Sequence, residues 1–193
     1  PWSIKRPNVE FRFITMLETL ISSKTRIKLL LKFFLNSNTT SYLRHLEGEF
    51  GESTNAIRVE LNKLEGAGML VSRQQGNKKY FQANTQHPLF NEIHSIILKY
   101  VGIDKIINKV VKRLGDVEKV FLVGKFSKGL DSDIIDLLFI GNIDKIYLIK
   151  LIDKVEGMIN RKVRYVIYTE NEFKSLDLSH YDPAPLLLWD AQA

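Results

Sequence analysis

Apolar positions change period along this chain, and each change marks an element. From Lys24 to Leu35 they recur at helical spacing as Ile27, Leu30, Leu31, Phe34 and Leu35. Lys24, Arg26, Lys28 and Lys32 fall on the other faces, which predicts an amphipathic first helix broken by the polar run 36–40. Over 41–50, Leu43, Leu46 and Phe50 share one side of a second helix that ends at Gly51. A third helix begins at a Ser53 or Thr54 cap, turns Ile57, Leu61 and Leu64 inward, and presents Thr54, Asn55, Arg58 and Asn62 on the opposite stripe. The period then drops to two: 69–73 and 78–83 alternate as strands around a tight turn at Gly76 and Asn77, giving a hairpin.

Pro88 introduces two further helical stretches separated near Gly102. Leu89, Phe90, Ile93, Ile96, Ile97 and Tyr100 cover more than one stripe of the first, so it packs on two sides, against either a second copy of the chain or the C-terminal domain. A strand over 117–123, an apolar strand ending at Gly141, a helix from Asp144 to Ile159 and a strand over 161–169 follow, which is the order of an α/β unit. In the tail, Leu186, Leu187, Leu188 and Trp189 are too apolar for water and are expected to dock on the domain or a neighbouring chain. The expected fold is α+β: an N-terminal extension and helix over 1–23, a first domain over 24–86, a helical connector over 87–115, and an α/β domain over 116–193. Met16 opens the first amphipathic segment and is the expected natural start, with the residues before it upstream sequence.

Charge separates the two halves. Residues 1–100 hold 14 Lys and Arg against 8 Asp and Glu, whereas residues 101–193 hold 14 of each, so the whole net charge of +6 lies in the first half. Charge confined to one domain points to an anionic partner for it. The polar stripe of the third helix has side chains suited to base edges and phosphates, and the hairpin tip adds a basic flank. The candidate DNA-binding set is therefore Ser53, Thr54, Asn55, Arg58 and Asn62 on the helix, with Arg73, Gln75, Asn77, Lys78 and Lys79 on the hairpin. A lone surface Lys or Arg is ordinarily just solvated. Helix, turn, polar-faced helix, basic hairpin and one-sided charge together single this region out.

Cysteine is absent, which excludes disulfides and thiolate metal sites. The longest apolar run, 134–143, is interrupted by Asp136 and falls well short of the roughly 20 residues of a membrane span. With no signal peptide recognisable, a cytoplasmic protein without membrane attachment is expected.

The segments SKTRIKLLLKFF and YLRHLEGEFGESTNAIRVELNKLEGAGMLVSRQQGNKKYFQAN resemble the winged helix-turn-helix of arsenical-repressor-type bacterial transcription regulators over about 65 residues. The resemblance implies a homodimer on double-stranded DNA that regulates transcription, reading pseudo-palindromic sites. Metal-sensing members use largely Cys ligands, which this chain lacks. His45, His87, His94 and His180 are scattered, and no metal site is expected.

Residues 117–173 resemble the minimal nucleotidyltransferase domains of the DNA polymerase β superfamily. That family carries a Gly-Ser pair after its first strand, two carboxylates at i and i+2 on the next, and a third carboxylate on a later strand, holding two divalent cations against a nucleotide. Here Asp136 takes the second carboxylate position, but Ile134 takes the first and Asp133 lies one residue early. Lys125 replaces the Ser after Gly124, and Arg164 or Tyr165 replaces the third carboxylate. A cation there repels metal while still suiting a phosphate. The expectation is a degenerate fold with no catalytic residue, used for dimerisation, sensing of a small-molecule or protein effector, or partner contact. Were it active, Asp133 and Asp136 would carry it, with magnesium and nucleotide as cofactors. Gly124, Lys125, Ser127, Lys128 and Gly129 form a candidate phosphate or nucleotide cradle. Asp131, Asp133 and Asp136 either bind one cation or keep an exposed strand edge soluble. The alternatives to a regulator are an active magnesium-dependent nucleotidyltransferase and an antitoxin-like or scaffold protein.

Overall fold

The computed structural model describes residues 13–192, and the extension expected ahead of residue 13 lies outside the described residues. The first half runs α1 (Phe13–Leu20), α2 (Lys24–Phe34), β1 (Ser41–Tyr42), α3 (Leu43–Phe50), α4 (Thr54–Gly66), β2 (Leu70–Gln75) and β3 (Lys78–Ala83). A connector follows as α5 (Phe90–Val101), α6 (Ile103–Ile106), a π-helical turn (Ile107–Val111) and α7 (Lys112–Leu114). The second half runs β4 (Val117–Val123), α8 (Gly124–Ser127), β5 (Ile134–Gly141), α9 (Lys145–Ile159), β6 (Lys162–Tyr168), α10 (Glu170–Lys174), a 3-10 turn (Leu178–His180) and β7 (Leu186–Asp190). The fold is mixed α+β with two sheets, ordered β1-β3-β2 and β6-β5-β4-β7.

Helix α2 is capped by Ser23, whose hydroxyl accepts the Arg26 N–H at 3.2 Å. It buries more than the expected stripe, because Leu29 and Phe33 are also fully enclosed. An all-round buried helix is a central one, and α2 has α1, α4 and α5 around it and the loop after α8 at its end. The helix expected over 41–50 starts two residues later than its pattern suggests. Ser41 and Tyr42 pair with Phe81 and Tyr80 instead, adding a third strand to the hairpin sheet. A two-residue strand has no alternation to read, so the sequence pattern does not announce it.

The connector is a core element and not a linker. Ile97, Val101, Ile106 and Val110 are fully buried, and the buried apolar residues of both halves form one contiguous cluster. Of the apolar surface of α5, Phe90 meets Phe34 at 5.7 Å between ring centroids, while Leu89 and Ile96 remain exposed.

In the larger sheet β4 pairs antiparallel with both β5 and β7, and β5 pairs parallel with β6. Helix α9 makes the β5–β6 crossover: Asp144 caps it by accepting the N–H groups of Ile146 and Tyr147, and Leu148, Leu151, Ile152 and Val155 face inward. Strand β5 is thus internal, which corrects the expectation of an exposed edge at Asp131, Asp133 and Asp136. The edges are β6 and β7. The apolar tail docks on its own domain as β7, with Trp189 opposite Val120 and an Asp190–Lys119 ion pair at 2.6 Å.

At the joint between the halves, a Cβ on Gly129 (φ +70°) would lie 2.5 Å from the Lys32 Cα and 2.7 Å from its carbonyl oxygen. Only glycine permits that backbone conformation and that approach together. Lys32, with its side chain 5% exposed, binds Glu49 at 2.7 Å and the Lys128 carbonyl at 2.8 Å. No helix among the described residues is long and apolar enough to cross a membrane.

Candidate nucleic-acid interface

Burial of Ile57, Leu61 and Leu64 fixes the rotation of α4, each such side chain contributing about 1.5–3 kcal/mol. Asn55, Arg58 and Asn62 therefore face solvent. Ser53 caps this helix by accepting the Ala56 N–H at 3.2 Å, so its hydroxyl has a structural task. Beside α4 the hairpin closes at Gln75 opposite Lys78, leaving Gly76 and Asn77 as the turn. Between the start of α3, the exposed face of α4 and the hairpin tip lies a groove of about 440 Å³, with Tyr42, Arg44, Arg58, Asn62, Asn77, Lys78 and Lys79 among its lining.

The charges in and around this groove are not equivalent. Arg44, Arg58 and Arg73 form no ion pair among the described residues. Lys78 lies 4.4 Å above the Tyr42 ring, a cation–π contact that keeps its ammonium at the groove wall. Lys79 is tied to Glu65 at 2.7 Å, and the hydrogen bonds of Lys79 and Ser72 hold the Glu65 carboxyl below its ordinary value. Three of the four cations of α2 are neutralised in place: Arg26 by Glu60 at 2.7 Å, Lys28 by Glu52 at 2.6 Å and Lys32 by Glu49. Burial works to raise Glu60 and Glu52, but Arg26 and Lys63 on the first, and Lys28 and Thr25 on the second, outweigh it and hold both carboxyls low. Arg44, Arg58, Arg73 and Lys78, on α3, α4 and the hairpin, are left without a carboxylate partner among the described residues.

Five of the ten sequence candidates (Arg58, Asn62, Asn77, Lys78 and Lys79) line the groove together. Ser53, Thr54, Asn55, Arg73 and Gln75 lie outside it, all exposed except the half-buried Thr54. The sequence candidates lack Arg44 and Tyr42. Arg44 is legible as a polar position off the Leu43–Leu46–Phe50 side, whereas Tyr42 reaches the groove only through the β1–β3 pairing.

The carboxylates of β5 are arranged differently. Asp136 stands in register with Arg164 on the parallel neighbour β6, and the two form an ion pair at 2.5 Å that raises the Arg164 guanidinium. The same carboxylate lies against Gly124, so close that a Cβ there would collide with it. Ile134 occupies the i−2 position of the strand. Asp133 is exposed, and its carbonyl accepts the Lys162 N–H at 2.8 Å. Asp131 turns instead to Arg161 at 2.9 Å and to the Tyr100 hydroxyl at 3.2 Å. Burial and the Asp131 charge push Tyr100 up to about 12. Among the described residues no group of three or more His, Cys, Asp and Glu is placed to hold a metal ion. With the Arg164 guanidinium beside Asp136 and Ile134 two residues before it, the donors at this point of the strand pair do not suit a divalent cation.

Part of the donor set of the 124–129 segment is engaged within it. The N–H groups of Lys128 and Gly129 bond to the carbonyls of Lys125 and Phe126 at 3.1 and 2.9 Å, and the Ser127 hydroxyl bonds to the Gly124 carbonyl at 2.8 Å. Ser127 and Gly129 are buried, Lys125 is exposed, and Lys128 lies 3.8 Å from Asp182. Of the histidines, His94 contacts the Phe34 carbonyl at 2.6 Å, while the His87 ring nitrogen accepts the Leu89 N–H ahead of α5.

No protein-family model matches the chain, and no curated protein matches it. Solved structures similar to part of it include the complex of a tri-AMPylated HEPN toxin with MNT antitoxin from Shewanella oneidensis, at 18% identity and a TM-score of 0.34, covering 47% of this chain and 71% of that one. A candidate nucleotidyltransferase from Sulfolobus solfataricus is similar at 22% identity and a TM-score of 0.33, covering 47% of this chain and 79% of that one.

Proposed function

We propose that this chain binds duplex DNA as a transcription regulator, with residues 24–86 acting as a winged helix-turn-helix, α4 as its reading helix and the β2–β3 hairpin as its wing. The observation that carries the reading is the groove that gathers Arg44, Arg58, Asn62, Asn77 and Lys78 on one face, while Arg26, Lys28 and Lys32 of α2 are paired with glutamates. Arg58 and Asn62 have the reach and donors for base edges at the start of a helix lying in the major groove, and Lys78 suits phosphate beside it. The chain acts as a homodimer in this reading, with the exposed Leu89 and Ile96 on the outer face of α5 as the contact.

The C-terminal half, in the same reading, is a nucleotidyltransferase-like domain used for ligand or partner contact and not for nucleotide transfer. Supporting this are the Asp136–Arg164 pair, Ile134 two residues before it, and the hydrogen bonds that engage the Lys128 and Gly129 N–H groups and the Ser127 hydroxyl within the 124–129 segment. Fluorescence anisotropy with duplex fragments from the chain's own genomic neighbourhood, against scrambled competitor and at two salt concentrations, tests the proposal. Competitor-resistant binding is expected. Binding that fades equally for every sequence as salt rises would overturn specific recognition.

A further inference from the structure

Between α1, α2, α4 and α5 lies an apolar groove of about 750 Å³, within the range of roughly 300–1,000 Å³ usual for small-molecule sites. Its floor is core: Leu17, Leu30, Leu64 and Ile97 line it, each no more than 6% exposed. Leu20 and Ile96 stand on its rim at 72% and 47% exposure, so the apolar lining continues out to solvent. The charged groups of the lining are few and of one sign. Among the described residues they are Arg26, Lys63 and Lys99, with no carboxylate or amide side chain beside them, and the Tyr100 hydroxyl is already bonded to Asp131. A single carboxylate, Glu60, serves both Arg26 at 2.7 Å and Lys63 at 3.3 Å. It takes Arg26 through Nε, which leaves the outer guanidinium N–H groups without an acceptor among the described residues. Lys99 is exposed and has no ion pair among the described residues. Glu18 of α1, whose charge is felt at Tyr100, is outside the lining. Even with Glu18 counted, three cations face two carboxylates, and the rim is left positive.

We infer that this groove binds a single-chain amphiphile with an anionic head, of the fatty-acid class. The acyl chain lies on Leu17, Leu30, Leu64 and Ile97, and the carboxylate meets the cations of the rim, Lys99 foremost because it has no partner to give up. Other occupants fit less well. An extended peptide would bring backbone amides to walls that offer them no side-chain partner, and unmet buried amides are costly, whereas an acyl chain carries no polar group short of its head. A second copy in a two-fold contact sets the same patch against itself and would bring two cationic rims together. Leu89, the other half of the proposed dimer contact, lies outside the lining. Residues 1–12 carry Lys5, Arg6 and Arg12 against Glu10, which is the wrong sign for this rim. The site does not depend on the DNA-binding reading.

Isothermal titration calorimetry of the full chain tests this with octanoate, decanoate and dodecanoate below their micelle concentrations, and with decanol and decyltrimethylammonium as neutral and cationic heads. One molecule is expected to bind per chain, roughly 10-fold tighter for each added pair of methylene groups. Decanoate is expected to bind about 5-fold tighter than decanol, and decyltrimethylammonium more weakly than either. Lys99→Glu, an exposed change, is expected to abolish the advantage of decanoate over decanol. Ala67→Trp places an indole in the groove from an exposed position just past α4, and is expected to weaken every chain length by at least ~10-fold while circular dichroism stays unchanged. Equal affinity for decanoate and decanol, or an advantage that survives Lys99→Glu, would overturn the anionic head. Affinity that does not grow with chain length overturns the apolar seat. Binding of several molecules per chain that Ala67→Trp leaves intact is general detergent action and overturns the site. So does the absence of binding by any anionic chain, and sedimentation velocity then tells whether a second copy covers the groove.

Discussion

The α3–α4–hairpin face and the β5–β6 strand pair both bring ionisable side chains to the surface, yet they leave them in opposite states. On the first, Arg44, Arg58 and Lys78 have no carboxylate partner among the described residues, while Glu49, Glu52 and Glu60 are engaged by α2 and Glu65 by Lys79. On the second, Asp136 has Arg164 and Asp131 has Arg161, and only the exposed Asp133 lacks an ion pair among the three aspartates 131, 133 and 136. Charge that is already paired offers little to a ligand, and charge left over offers a field. The contrast explains why equal numbers of acids and bases in the C-terminal half and an excess in the N-terminal half translate into a matched strand pair and an open basic groove.

The joint between these regions is where the largest effect is expected. Gly129→Val places a branched side chain against the Lys32 backbone, and a loss of about 2–4 kcal/mol in urea unfolding is expected, with both halves disturbed because they share one core. Arg58→Ala is expected to cost duplex binding about 1–3 kcal/mol in anisotropy titrations, while Asp136→Asn leaves it unchanged. Equal losses from both would erase the distinction between the two regions. Smaller still, Lys78→Ala should weaken all duplexes alike and reduce the slope of log affinity against log salt by about 1.

The pH dependence is expected to be the mildest effect near neutrality. Glu52 and Glu60 are held below their ordinary 4.5, so the folded state binds protons less readily than the unfolded chain there. Their stabilisation is present above pH 4.5 and is lost as pH falls through the folded values, which melting followed by circular dichroism would register as a falling midpoint. Tyr100 behaves in the reverse sense: its folded value of about 12 exceeds the ordinary 10, so stability declines as pH rises between the two.

Much of the first half is legible because its helices and hairpin carry long, clean periods. Ile57, Leu61 and Leu64 announce the inner face of α4, and the Gly76–Asn77 turn announces the hairpin. Less legible are features made by contacts distant in sequence. Strand β1 is too short to show a period, and the tail at Leu186 to Trp189 reads as an apolar segment needing cover without revealing that it pairs with β4. The arginines of α2 and α4 look alike as letters. Arg26 is neutralised only because Glu60 faces it across two helices, whereas Arg58, two positions before that glutamate, points away.

The sequence by itself determined the order of the longer helices and strands, the polar stripe at Asn55, Arg58 and Asn62, the one-sided positive charge, and the absence of cysteine chemistry, since each is local or compositional. Tertiary structure alone decided which cations stay unpaired, that Asp136 is met by Arg164 and not by a second carboxylate, that the connector lies inside the core, and that Arg26, Lys63 and Lys99 line one apolar groove. Those outcomes depend on which side chains the packing of distant segments brings within reach, and pairing distances are set by the folded chain as a whole.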